Sequence, residues 1–420
     1  MFDIFSLKDF SFPKDFFWGS GYAGHQVEGN NTNCQRYQME IDGNWEEKSG
    51  LACNSYELYE KDIDLVNFLK HQAFRTSVEW SRIEPQEGFF NKEATEHYIK
   101  MFAKMKEKGI KVFVTLVHIS HPTWFENIDN FNKLENLKYF ERYVEYIVPK
   151  IAPYVDYWNV LNESNMGGGP SFKMNSLIYH ARGYHIIKKY SSAPVSSAHA
   201  LMLCQPYRAH DKWDKHLAAH MDMCVNEYFF HAIRTGEIVF PYQDVIYDKD
   251  VKNSVDYWSI NTYVRRLVDG RKANATAKKY DTCKMDFIKK EFYLDEFNPE
   301  CVIANLSRLT DKQVIITENG CSCDDDRFRI VWLTLYLKAI EESIRTGIDV
   351  KGYLYWSLID NYEWMSFLPK FGLVECDFNT FERTPKPSAY FYKEIIENNG
   401  FSQKILRKYL KEIPTLEQIK

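Results

Sequence analysis

Short apolar runs alternate along this chain with longer stretches whose hydrophobic positions recur at helical spacing. The runs occupy residues 16–21, 73–80, 111–118, 157–163, 195–200, 256–263, 313–320 and 351–358. They are rich in β-branched and aromatic residues. Most are apolar throughout rather than alternating, as expected of a parallel sheet covered on both faces. The segment 54–70 places Tyr56, Tyr59, Ile63, Val66 and Leu69 on one helical face, with Asn54 or Ser55 as N-cap. Similar periodicity predicts helices over 93–108, 135–150, 175–190, 217–235 and 327–346, while 201–216, 236–255 and 264–312 read as loop insertions.

Strands alternating with helices make an α/β chain, and no Pro/Gly/Ser-rich linker divides it. Residues 1–420 are therefore read as one domain. Nothing in the pattern marks a sheet edge, which favours a single (β/α)8 TIM barrel with loop insertions at its C-terminal face. An open doubly wound sheet is the alternative. The 420-residue length suits a barrel, since such folds routinely exceed the usual domain size.

Composition narrows the function classes. Lys and Arg number 53 against 58 Asp and Glu, a net charge of −5, so no basic surplus points to nucleic acid or to an anionic membrane. Aromatic residues make up 16% of the chain, which suits stacking on sugar rings but equally a large core. The nine Cys are irregularly spaced, as in a protein with reduced thiols, and Cys321 and Cys323 lack a second pair or nearby His to complete a metal site. The N-terminal MFDIFSLKDFSF carries Asp3 before its first basic residue and does not read as a signal peptide. A cytoplasmic location is expected.

The strand ends carry the chemistry. They read Glu79 and Trp80, His118, Asn162 and Glu163, Asn261 and Tyr263, Glu318 and Asn319, then Trp356. In a parallel barrel these ends open onto one face and converge. Glu163 closes YWNVLN and Glu318 closes QVIIT, so each brings a carboxylate out of a buried run, which is costly unless the charge is paired or used. A lone glutamate would be read as a salt bridge, with Arg75 the obvious partner. Two glutamates on separate strands, each beside an Asn, fit the carboxyl pair of glycoside hydrolysis: one protonated to serve the leaving oxygen, one ionised. Taken singly, the remaining residues have plainer readings. His118 would be a satisfied core histidine, Trp356 and Trp364 core, Gln26 a turn residue and Tyr263 a strand cap. The His118–His121 pair lacks the further ligand that a metal site needs.

Several blocks give the chain a specific resemblance. FPKDFFWGSGYAGHQVEG (12–29), FRTSVEWSRIEP (74–85), WNVLNES (158–164), ITENG (316–320), GYLYWSLIDNYEW (352–364), KFGLV (370–374) and RTPKPSAYFYKEII (383–396) follow one another in register. In these the chain resembles glycoside hydrolase family 1, the retaining β-glycosidases with a (β/α)8 barrel. The resemblance implies a β-glucosidase-like enzyme acting on terminal β-glucosyl, and also β-galactosyl or β-fucosyl, residues by double displacement. Glu163 matches the acid/base and Glu318 the nucleophile. Asn162 matches the residue bound to the sugar 2-hydroxyl, and Arg75 and Tyr263 match groups that orient the nucleophile. Gln26, His118, Glu363 and Trp364 match residues binding the other hydroxyls; Trp356, with Phe371 nearby, matches the platform under the sugar. The retaining mechanism implies carboxyls about 5–5.5 Å apart. No metal or organic cofactor is implied. The expected partners are a β-glycoside or short oligosaccharide and, at most, further copies of the same chain, with no nucleic acid and no membrane.

The chain departs from the family pattern at two places. Ser164 stands where Pro usually follows the acid/base, and Ile119-Ser120-His121-Pro122 replaces Trp-Asp-Leu-Pro after His118, removing an aromatic wall from the pocket edge. Some barrel-mouth loops are expected to be trimmed. A 6-phospho-β-glycosidase is the alternative enzyme reading, opposed by the anionic Glu363 and by Lys370 lacking its Ser and Tyr companions. A non-catalytic sugar-binding barrel is the alternative of another class, opposed by the presence of both glutamates.

Overall fold

Eight parallel strands close into a barrel in chain order: β1 (Phe17–Gly21), β2 (Ala73–Ser77), β3 (Lys111–Val117), β4 (Tyr157–Asn162), β5 (Val195–Ala200), β6 (Trp258–Asn261), β7 (Val314–Asn319) and β8 (Val350–Trp356), with β8 pairing back to β1. The architecture comes from a computed structural model, which describes residues 4–45, 47–272, 276–277 and 297–413. Closure leaves no sheet edge, so the doubly wound alternative falls. Strands β1, β2, β5 and β7 are buried along their whole length, which is why their sequences are not amphipathic.

Helices Ser55–Phe68, Lys92–Glu107, Leu137–Ile151, Pro170–Tyr190 and Asp326–Arg345 lie close to five of the predicted segments. Asn54 does stand at the N-cap of the first, in a left-handed conformation, but its side chain makes no capping bond. The stretch predicted as one helix over 217–235 is divided. Lys212–Asp222 and Tyr228–Thr235 flank a π-helical turn at Met223–Glu227, where the Asn226 amide donates to Asp222 Oδ1 (2.7 Å) and Met202 O (2.8 Å). All three supposed loop insertions carry structure of their own: within 236–255, Glu237–Ile238 pairs antiparallel with Ile246–Tyr247. Leu203–Pro206, from 201–216, and Arg265–Val268, from 264–312, pair as parallel strands outside the barrel. Part of 264–312 lies outside the described residues.

Inside the barrel, polarity is layered. Phe17, Ala73, Phe113, Tyr257, Ile315 and Leu354 form an apolar floor, with Tyr157 stacked on Phe113 at 4.3 Å. Gly352 makes room for it, because a Cβ there would sit 2.3 Å from the Phe17 ring. Side chains alternate across a strand, so Arg75 rises two residues above Ala73 on the same inner face, and Thr115 two above Phe113. The apolar floor therefore carries a polar layer at the C-terminal mouth. At the opposite end, Phe10–Ser11 pairs with Gly400–Phe401 and joins the two ends of the chain.

Candidate active site

The polar layer is a continuous hydrogen-bond network. Arg75, on β2 and 1% exposed, donates from Nη1 to Glu318 Oε1, from Nη2 to Asn162 Oδ1 (2.6 Å) and from Nε to Thr115 Oγ1 (3.2 Å). Tyr263 Oη donates to the other oxygen of Glu318, Oε2, at 2.9 Å. Both oxygens of Glu318 therefore meet donors, one of them cationic. Burial, and then the charge of Glu318, raises the Tyr263 phenol well above its ordinary pKa, so it remains a donor.

Glu163 has a different environment. It follows the last residue of β4 with φ at 49°, a left-handed conformation uncommon outside glycine, and its N–H donates to Ala198 O at 2.8 Å. Its Oε1 accepts from Asn261 Nδ2 at 2.8 Å. Burial first, and the neighbouring charge of Glu318 second, push its pKa up to about 8, while Asn261 and Arg75 act in the opposite direction. At neutral pH one carboxyl of the pair is held as an acid.

Asn162 joins the two halves. Its Oδ1 accepts from Arg75 and from Asn261 Nδ2 (3.1 Å), which leaves Nδ2 to donate to His118 Nε2 at 3.1 Å. His118 must then be unprotonated at Nε2. Burial, reinforced by the charge of Arg75, accordingly lowers its pKa well below the usual value. The neutral ring stacks between Trp356 (5.7 Å) and Trp364 (6.1 Å). Trp356 Nε1 donates to Glu363 Oε1 at 3.0 Å, and the Trp356 ring packs with Ala23, Phe371 and Tyr263. Gln26 is fully buried and donates to Asn361 Oδ1 at 3.0 Å, whereas its Oε1 has no protein partner. The residues matched to acid, nucleophile and sugar-binding roles thus gather in one basin.

Not every strand end contributes. Glu79 accepts from Ser120 Oγ (2.6 Å), Asn31 Nδ2 (2.8 Å) and Ser77 Oγ (3.1 Å), so its carboxylate is used in tying loops together behind the basin. Trp80 begins a helical turn instead of ending β2. It stacks on Tyr143 at 4.8 Å in the core, so neither residue joins the site. Asn261 is the residue that sequence reasoning left without a role, although it stood among the strand ends. Its register partner is Glu318 on β7, and that placement lets one amide reach both Asn162 and Glu163.

The model of glycosyl hydrolase family 1 matches residues 8–177 and 171–401, which together span most of the chain. The chain belongs to glycosyl hydrolase family 1. As a family 1 member it is a glycoside hydrolase, and its relatives match along nearly their whole length. It is 26% identical to beta-glucosidase A of Acetivibrio thermocellus, over 94% of this chain and 100% of that protein. It is also 26% identical to a beta-galactosidase of Saccharolobus solfataricus, over 98% and 100% respectively. A beta-glycosidase structure from Pyrococcus horikoshii superposes with a TM-score of 0.86 at 30% identity, covering 96% of this chain and 99% of that one. Among the described residues no helix is long and apolar enough to cross a membrane.

Proposed function

We propose that residues 1–420 act as one catalytic domain, a retaining β-glycosidase that removes terminal β-glucosyl residues. Glu318 serves as nucleophile and Glu163 as acid and then base. The observation that carries this reading is the divergence of the two carboxyls. Glu318 lies between an arginine and a phenol that stabilise its charge, while burial and the Glu318 charge keep Glu163 protonated up to about pH 8. That is the split of roles which double displacement requires at neutral pH.

In the first step Glu318 attacks the anomeric carbon as Glu163 gives its proton to the departing oxygen, leaving a glycosyl ester on Glu318. Glu163, now ionised, takes a proton from water, which attacks the same carbon and releases the sugar with net retention. Asn162, whose Oδ1 is occupied by Arg75 and Asn261, would meet the sugar 2-hydroxyl through its amide Nδ2. Trp356 is the platform under the ring, with Phe371 behind it. Gln26, with its unpartnered buried Oε1, and His118, Glu363 and Trp364 serve the remaining hydroxyls. Glu363 beside Trp356 disfavours a 6-phosphate on the sugar, since the two anions would repel.

The test is turnover of p-nitrophenyl β-glucoside, β-galactoside and β-glucoside 6-phosphate side by side, with Glu318→Gln as control. Hydrolysis of the plain sugars, lost in the variant, is expected. Activity confined to the phosphate, or none on any of the three, would overturn the reading.

A further inference from the structure

A cavity of about 480 Å³ opens from Asn162 and Glu163 past Ile119, one of the positions noted above as departing from the family pattern. Ile119 is held at φ 67°, a left-handed conformation that is strained for a β-branched residue, and its carbonyl accepts from Gln35 Nε2 at 2.9 Å. The apolar part of the wall comes from Ile119, Phe131, Met166 and Phe172. Apart from Glu163, its acidic and basic side chains include Glu126 and Arg36, which differ in how they are satisfied. Glu126 Oε2 accepts from His121 Nε2 and Asn130 Nδ2, both at 2.7 Å. Among the described residues Arg36 has no such charged partner.

The Arg36 guanidinium lies 5.6 Å from the ring centres of Trp45 and Trp364, its Nη1 approaches only Met39 Sδ (3.9 Å), and its Nε is buried without an acceptor. Among the described residues no carboxylate lies within ion-pair distance of it. The other arginines of the interior do have carboxylates: Arg75 has Glu318, Arg82 has Glu28 at 2.7 Å, Arg329 has Asp326 and Arg383 has Asp62 at 2.9 Å. Burial accordingly pulls the Arg36 pKa down, with Cys34 and Glu126 opposing. A largely desolvated guanidinium facing a cavity, with a fork of donors unused, is matched by an oxyanion supplied from outside.

We propose that Arg36 and the space left by Ile119 form an accessory subsite for an acidic group, so that the preferred substrate is a β-glycoside bearing a carboxylate or sulfate. This rests on the glycosidase reading above and adds the substrate class. The cavity begins at Asn162 and Glu163, so the acidic group sits either on the sugar near C2 and C3 or on the leaving group. Arg36 acts in binding only, and no bond changes there.

Two matched pairs of substrates separate these sources. 2-Carboxyphenyl β-glucoside against its methyl ester places the anion on the leaving group; p-nitrophenyl β-glucoside 3-sulfate against the 3-O-methyl ether places it on the sugar. The expected result is an acid-to-neutral ratio of kcat/KM that Arg36→Met lowers about tenfold for one pair, the value of one charged hydrogen-bonded contact. The pair that responds names the source. Arg36→Lys, which keeps the charge without the fork, should fall between the two and serves if the Met variant does not fold. Ile119→Trp should lower the same ratio by filling the cavity. An unchanged ratio in both pairs would overturn the subsite while plain glucoside turnover kept the glycosidase reading intact. A protein that hydrolyses none of these substrates would fail at the earlier reading and take the subsite with it.

Discussion

Asn261 Nδ2 lies 2.8 Å from Glu163 Oε1 and 3.1 Å from Asn162 Oδ1, so a single amide on β6 joins the proposed acid to the network around the proposed nucleophile. Its bond to Glu163 favours the ionised carboxylate and opposes the upward effects of burial and of Glu318. The pKa of about 8 is the balance of these effects, and each can be changed separately.

Activity should therefore fall on the alkaline side as Glu163 loses its proton, with a limb in kcat/KM near pH 8. Asn261→Ala removes an interaction that lowers the pKa, so the limb should move to higher pH. A pH–rate profile of the two proteins checks this, and a limb that stays or moves down would contradict it. Glu318→Gln removes a raising charge and should shift the Glu163 titration downward, as read by NMR of labelled glutamate carboxyls.

Glu163→Gln should slow glycosides with poor leaving groups by about 10²–10⁴-fold, the usual worth of general acid catalysis. Aryl glycosides that need no protonation should lose far less in the first step. Comparing methyl and 2,4-dinitrophenyl β-glucosides by pre-steady-state kinetics is the check. Equal losses would remove Glu163 from the acid role.

Tyr263→Phe deletes the 2.9 Å bond to Glu318 Oε2 and leaves Arg75 in place. A hydrogen bond to a charged group is worth about 1.5–3 kcal/mol, so a fall of about tenfold to a hundredfold in kcat/KM is expected. An unchanged value would mean that Arg75 alone orients the nucleophile.

The same balance affects stability. Glu163 has an ordinary pKa of 4.5 that folding raises to about 8. Below pH 4.5 folded and unfolded chains both carry the proton. Between 4.5 and about 8 the unfolded chain releases a proton that the folded one keeps, so stability falls as pH rises across this window. Glu163→Gln has no such group and should gain stability relative to the parent at pH 8 but not at pH 4. Denaturant midpoints of the two proteins at both pH values test this; a pH-independent difference would count against the raised pKa.

Much of the fold was legible because buried parallel strands are written as apolar runs that no other local structure explains equally well. Val195–Ala200 coincides with its predicted range. Strand β2 ends at Ser77 rather than Trp80, because Glu79 and Trp80 turn into a helical segment whose ring packs in the core. Outside the barrel, Leu203–Pro206 reads as a loop because it is a strand only through pairing with Arg265–Val268, and a partner about sixty residues away leaves no local periodicity.

The sequence by itself determined the two carboxylates, the strands that carry them and the arginine that would meet one of them. These follow from the energetic cost of placing charge at the end of an apolar run. Only the tertiary structure decided which groups touch. Asn261 bridges the two halves of the site because β6 lies beside β7 with Asn261 in register with Glu318. His118 is held neutral by burial and then by the charge of Arg75, with the Asn162 amide at its Nε2. Among the described residues Arg36 meets no carboxylate, and it lines a cavity together with Ile119. Charge state and partnership depend on distances across the barrel, and those are set by strand register and closure, not by neighbours in sequence.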